Sequence, residues 1–228
     1  MLALPQTVKY DIGSHCYSLD DIEHGILRSN MMHPTSGAVA FKTGDERLSL
    51  AVPLAEFDPR IHFALVCGAQ SCPPIRVYKG DNIAKGLSMA TSTYLNQVIQ
   101  VDLAAEPAAA EAAGQGEPGG GCRGGGKGKV HAVRLPKVCC WYFADFCLGA
   151  APKRRCLAVL LFLSKQMEAG HKLGRVVTDI MSSKHAMQSE TEMYEEKEQS
   201  DGTFKLLAGE SCKVTVDFLP AAWGLNSA

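Results

Sequence analysis

Between residues 104 and 129 the chain is almost entirely Ala, Gly, Glu and Pro, with glycine runs at 119–121 and 124–126 and no large apolar side chain. Such a stretch offers nothing that can pack a core, so it is expected to be a disordered, low-complexity insert. A fold must then be assembled from the two flanking segments, 1–103 and 130–228, acting as one domain. Closing a long loop adds only about 0.6 kcal/mol per doubling of its length, so an insert of this kind is compatible with a shared core. The 228 residues are enough for one such core, and a hydrophobic share of 46% against 21% charged is ordinary for a globular chain. A second flexible segment is expected over 182–202, which is polar and rich in Glu.

The formal net charge is −1, and Lys153-Arg154-Arg155 is the tightest basic cluster. A protein that neutralises many phosphates would carry a larger positive field, so nucleic acid is not expected as a partner. The N-terminal residues lack a basic flank with a long apolar run, and the most apolar stretch, 156–163, is too short to cross a bilayer. No membrane partner is expected. The nine cysteines are an odd number, and Cys67, Cys139, Cys140 and Cys156 sit inside apolar runs. That usage predicts reduced, buried thiols in a cytoplasmic protein rather than a disulfide framework.

Periodicity gives a mixed α/β (α+β) class, with a central sheet and packed helices. Val8, Tyr10 and Ile12 alternate with polar residues and meet Gly13, which predicts a strand and a turn. Ser18 stands three residues before Asp21 in the spacing of a capping box, and a helix is predicted over 18–28. A short strand is expected near 48–52. The apolar run 61–67 reads as a buried strand; its rival is a short helix capped by Asp58 with Pro59 in first position. Asn82 is expected to cap a helix in which Ile83, Leu87, Ala90, Tyr94 and Val98 share one face. Beyond the insert, strands are expected at 130–135 and 214–218, and a helix at 156–167.

Chemistry-bearing residues concentrate in two places. In the 18–28 helix, Leu19, Ile22, Ile26 and Leu27 form an apolar stripe at about 100° per residue, with Glu23 in its middle. A carboxylate there must be paired or protonated. It is read either as a structural ion pair, with Arg60 or Arg76 as the binding cation, or as a functional acid or base. The second place is Asp58-Pro59-Arg60-Ile61-His62 together with Cys67 and Ser71-Cys72-Pro73-Pro74. Zinc is not expected, because a matching second pair of ligands is missing and an extended 61–67 would hold His62 and Cys67 roughly 16 Å apart. No other metal and no cofactor is expected. Cys72 lies on a rigid turn beyond a strand end, where reactive groups are often displayed. It is read as a small residue in a tight turn, or as a thiol nucleophile served by His24 or His62 as base and oriented by Glu23 or Asp58.

The strings SLDDIEHGILR (18–28), DPRIHFALVCGAQSCPPIR (58–76), LPKVCCWYFADF (135–146) and FLPAAWGLN (218–226) resemble, in this order, the signature blocks of the domain of unknown function 547 family. The resemblance implies an uncharacterised domain, found in other members beside a coiled coil or beside glutaredoxin or signalling modules. Such company fits either a protein-interaction module or a thiol-linked enzyme. Two departures mark this chain as a truncated or divergent member. The tryptophan-bearing helix that precedes the first block in relatives lies before its start, and Ala221 and Ala222 precede Trp223 where relatives carry a Tyr-Asp pair. The preferred expectation is a non-catalytic interaction or regulatory domain with a protein partner, because the sequence offers no complete nucleophile, base and orienter. Cys72 is then expected to be accessible but unactivated. The alternative is a Cys-dependent hydrolase or acyl transferase.

Overall fold

The structure, a computed structural model, describes residues 7–66, 72–103, 129–183, 195–198, 203–208 and 212–219. Residues 104–128, most of 182–202, and Cys67 lie outside the described residues. The class is α+β, as expected. A hairpin opens the described chain: β1 (Lys9–Ile12) pairs antiparallel with β2 (His15–Ser18) around Gly13, whose φ of 62° suits a residue without a Cβ. A separate five-stranded sheet has the order β3-β4-β7-β6-β5, built from β3 (Gln100–Asp102), β4 (Lys129–Leu135), β5 (Glu195–Glu198), β6 (Phe204–Ala208) and β7 (Cys212–Phe218). Only the β4 and β7 pair is parallel.

One face of that sheet is buried and the other is polar. Along β7, Cys212, Val214 and Val216 point inward while Lys213 and Asp217 point out; on β4 the inward residues are His131, Val133 and Leu135. Five α-helices lie among the described residues: α1 (Ile83–Val98), α2 (Lys137–Trp141), α3 (Phe143–Phe146), α4 (Arg155–Gln166) and α5 (Lys172–Ser183). α1 buries Leu87, Ala90, Thr91, Tyr94 and Leu95, and α4 buries Cys156, Val159, Leu160 and Leu163, each at the three- and four-residue spacing of an amphipathic helix. Asn82 occupies the cap position of α1, but its side chain accepts from the backbone of Lys79 instead of from the helix. α5 carries Leu173, Val176, Val177 and Ile180 against the same core.

Three sequence expectations are corrected. The segment 59–63 is not extended. It is a 3-10 helix, Pro59–Phe63, with Asp58 accepting from the backbone of Arg60 and Pro59 in the first position, so the capped turn prevails over the apolar run. The short strand near 48–52 is absent; Glu46–Leu50 forms another 3-10 helix, capped by Asp45. The 18–28 element does begin with the expected capping box, Ser18 and Asp21 each accepting from the other's backbone at 2.9 and 3.0 Å. From Asp21 to Leu27, however, it winds as a π-helix, with bonds such as Arg28 N–H to Glu23 C=O at 2.9 Å.

Two features fix the exit of that π-helix. A Cβ on Gly25 would lie 2.4 Å from the ring of Phe41, so only glycine admits this approach. Ser29 and Asn30 follow with φ of 54° and 53°, a conformation tolerated by Asn more than by most residues. Asn30 then clamps the backbone of Phe41 with two hydrogen bonds of 2.8 and 2.9 Å. Residues 195–198, expected to be flexible, form the edge strand β5.

Candidate functional site

The wider π winding matters because it sets Glu23, His24 and Arg28 toward one place, and π-helical turns recur at functional sites. Two other elements meet them there. The 3-10 helix brings His62, and the α2 to α3 corner brings Tyr142 and Asp145 from much later in the chain. Arg28 and Asp145 are nearly excluded from solvent, with side chains 3% and 4% exposed. The guanidinium grips the carboxylate with two bonds, Nε to Oδ2 at 2.7 Å and Nη2 to Oδ1 at 2.9 Å. Its remaining Nη1 donates to His24 Nδ1 at 2.9 Å and to the carbonyl of Met32 at 3.2 Å. A fork of fixed geometry is well matched to this set of acceptors.

His62 Nε2 lies 2.8 Å from Asp145 Oδ2. Its ring stacks on Tyr142, with centroids 3.9 Å apart and planes 16° apart, and Arg28 stands 4.9 Å over the same aromatic ring. The Tyr142 hydroxyl donates to Glu23 at 2.5 Å. Glu23 is therefore paired, as its place in an apolar stripe demands, but with neither Arg60 nor Arg76. Arg60 is taken by Asp58 and by Ser88 Oγ at 2.6 Å, and Arg76 is exposed.

Protonation follows from these contacts. Burial would raise the Asp145 carboxyl, but the bonds from His62 and Arg28 outweigh it and hold it below the usual carboxylate value. Burial lowers His62, against the opposing pull of Asp145, and burial likewise lowers His24. Burial and the adjacent Glu23 push the Tyr142 hydroxyl upward, so it stays protonated and donates. With Asp145 ionised, His62 Nε2 carries the proton and Nδ1 the lone pair; no partner for that Nδ1 lies among the described residues. His24 is the reverse case. A guanidinium only donates, so Nδ1 must accept and the proton sits on Nε2.

A stability profile follows. His24 and His62 both have folded values below the unfolded value of about 6.5, so the unfolded chain takes up more protons as pH falls below it. Their contribution is complete above about pH 6.5 and is lost as pH falls toward the folded values. Asp145 adds a second loss at lower pH, through its own depressed value. Thermal melts should therefore show a midpoint flat above about pH 6.5 and falling below it. His62→Gln should flatten the upper part of that fall, and a midpoint that rises on acidification would contradict the assignment.

Among the remaining residues singled out in the sequence, Asp58 and Arg60 pair with each other and not with this cluster. Asp58 caps the 3-10 helix and holds Arg60, so it orients no histidine. Cys72 is half-buried, next to the buried Pro73, on a segment without regular structure. Cys139 and Cys156 are buried as expected, together with Cys147 and Cys212, whereas Cys140 is partly exposed. Tyr142 and Asp145, which complete the cluster, were not singled out. The available signal was a tyrosine and an aspartate inside an otherwise apolar aromatic run, 141–146. Among the described residues no three His, Cys, Asp or Glu side chains group as metal ligands, and no helix is long and apolar enough to cross a membrane.

Glu23, His24, Arg28 and His62 all fall within the stretch that a comparison with known families picks out. Residues 1–95 match the family described as protein of unknown function, DUF547. The match bears out the resemblance to this family over that stretch. Tyr142 and Asp145 lie beyond the matched DUF547 stretch, so the cluster joins that stretch to the rest of the fold. No curated protein and no solved structure matches the chain. The description of the DUF547 family assigns it no activity.

Proposed function

We propose that the domain is a Cys-dependent hydrolase or acyl transferase in which His62 is the general base, Asp145 its orienter and Cys72 the nucleophile. The observation that carries this reading is the His62 to Asp145 bond of 2.8 Å, in a site where Asp145 is itself held by Arg28. The sequence names Glu23 or Asp58 as orienter but assembles no complete nucleophile, base and orienter, which is the ground for preferring a non-catalytic domain. Asp145 supplies the orienter. Of the two candidate bases His62 is favoured, because its lone pair is on the ring nitrogen left without a partner, while His24 has its lone pair occupied by Arg28. The chain at Pro59–Phe63 is a compact turn and not the extended strand read from the sequence.

The chemistry balances with these groups alone. His62 Nδ1 takes the Cys72 thiol proton as the sulfur attacks an acyl carbon, forming a thioester, and the same proton passes to the departing amine or alcohol. Water or a second acceptor then attacks the thioester, gives a proton to His62, and releases the acyl product as the thiol re-forms. A non-catalytic protein-interaction module is the second reading, favoured by Ile75 and Val77, which stand 83% and 84% exposed just after Cys72.

Alkylation of each thiol by iodoacetamide, followed by mass spectrometry, separates the two. An activated Cys72 should react at pH 6 at least about tenfold faster than an unstructured peptide thiol, whose value near 8.5 leaves it mostly protonated. His62→Gln should abolish the excess and His24→Gln should leave most of it. A Cys72 that reacts no faster than the peptide would leave the interaction reading in its place.

A further inference from the structure

On the outer side of His24 lies a cleft of about 360 Å³, lined by Ser18, Asp20, His24, His33, Ser36 and Arg47 among others. His24 and His33 meet edge to face there, with ring centroids 4.3 Å apart. Their tautomers are set from behind, independently. Arg28 donates to Nδ1 of His24, and the backbone N–H groups of Thr35 and Ser36 donate to Nδ1 of His33 at 3.1 and 3.2 Å. A ring nitrogen that accepts carries no proton, so both imidazoles are neutral and both hold their proton on Nε2. Neither Nε2 has a partner among the described residues.

The loop that presents His33 is closed on itself, His33 N–H bonding to the Ala38 carbonyl at 2.8 Å and Gly37 N–H to the His33 carbonyl at 2.9 Å. The two donors are thus held in place before any ligand arrives. The charges around them nearly cancel. Arg47 is bound to Asp45 and Asp21 and to the Cys16 carbonyl, which leaves Lys9 and Asp20 as one charge of each sign on the lining.

We infer that this cleft binds an uncharged amide, its carbonyl oxygen accepting from Nε2–H of both His24 and His33. Two neutral donors with no surplus cation suit a neutral acceptor better than a carboxylate, which would be stripped of water beside Asp20 without a compensating charge. Neutral imidazole is an established way of polarising a carbonyl without supplying charge. The inference stands apart from the role given to His62 and Cys72, since neither residue lines the cleft.

Imidazole 15N spectra of the intact protein test it, with N-acetylalanine N-methylamide as the probe and acetate and glycine as comparison ligands. The free protein should show the Nε2–H tautomer for His24 and His33, and the amide should shift both Nε2 signals saturably. His33→Phe, which keeps the ring's bulk at a half-exposed position, should weaken amide binding about tenfold, the loss of one hydrogen bond. Lys9→Gln should leave it unchanged. The inference is overturned if acetate or glycine binds as tightly as the amide, if Lys9→Gln weakens binding as much as His33→Phe, or if no saturable shift occurs. A protonated Nδ1 on either ring would overturn it as well.

Discussion

Asp145→Ala should destabilise the fold by about 3–5 kcal/mol, the range for removing one partner of a buried ion pair. The side chain is 4% exposed and neutralises Arg28, itself 3% exposed, through two bonds, while also accepting from His62. Its removal leaves a guanidinium that cannot shed its proton in a site closed to water. Chemical unfolding would measure the loss, and a double change separates charge from packing. With Arg28→Met and Asp145→Leu together the uncompensated charge is gone, so most of the stability should return even though both polar partners are absent. A loss below about 1 kcal/mol for Asp145→Ala would mean that water reaches Arg28 freely.

Phe63→Ala should have a comparable effect, about 3–5 kcal/mol, through a different mechanism. Phe63 is fully buried, with its ring centroid 5.8 Å from that of Tyr94 on α1 and 5.4 Å from that of Phe146 on α3. It therefore joins three elements that are distant in sequence, and the void left by alanine is bounded by helices that cannot all move inward. Because the neighbouring residue is His62, the same change should loosen the Pro59–Phe63 turn and let His62 titrate closer to its ordinary value. Phe63→Leu should lose distinctly less stability and leave the His62 titration near that of the parent. Equilibrium unfolding and histidine NMR titration read the two effects separately, and an unchanged His62 in Phe63→Ala would show that the turn is held by its Asp58 cap alone.

Elements with a strong local pattern were readable before any tertiary information. The capping pair Ser18 and Asp21, the buried faces of α1 and α4, and the alternation of β7 all rest on spacings within a few residues. α5 belongs with them although it was not anticipated, because Leu173, Val176, Val177 and Ile180 stand at the helical repeat. The run 61–67 failed for a physical reason: apolar residues in sequence satisfy a buried strand and a buried turn equally well. The choice fell to Asp58 and Pro59, whose capping geometry suits only the turn. The π winding of 21–27 is likewise invisible in a repeat; within it lies Gly25, where a Cβ would come 2.4 Å from the ring of Phe41.

The sequence by itself determined the class of fold and the requirement that Glu23 find a partner. Which partner it found was decided by tertiary structure, because Tyr142 is 119 residues away and no local rule reaches that far. The same holds for Asp145, 117 residues from Arg28, and for the parallel register of β4 against β7 across the intervening helices. A charged group in an apolar setting states only that compensation is needed. The groups that supply it are chosen by which elements pack together, and that choice is made by the burial of the whole core.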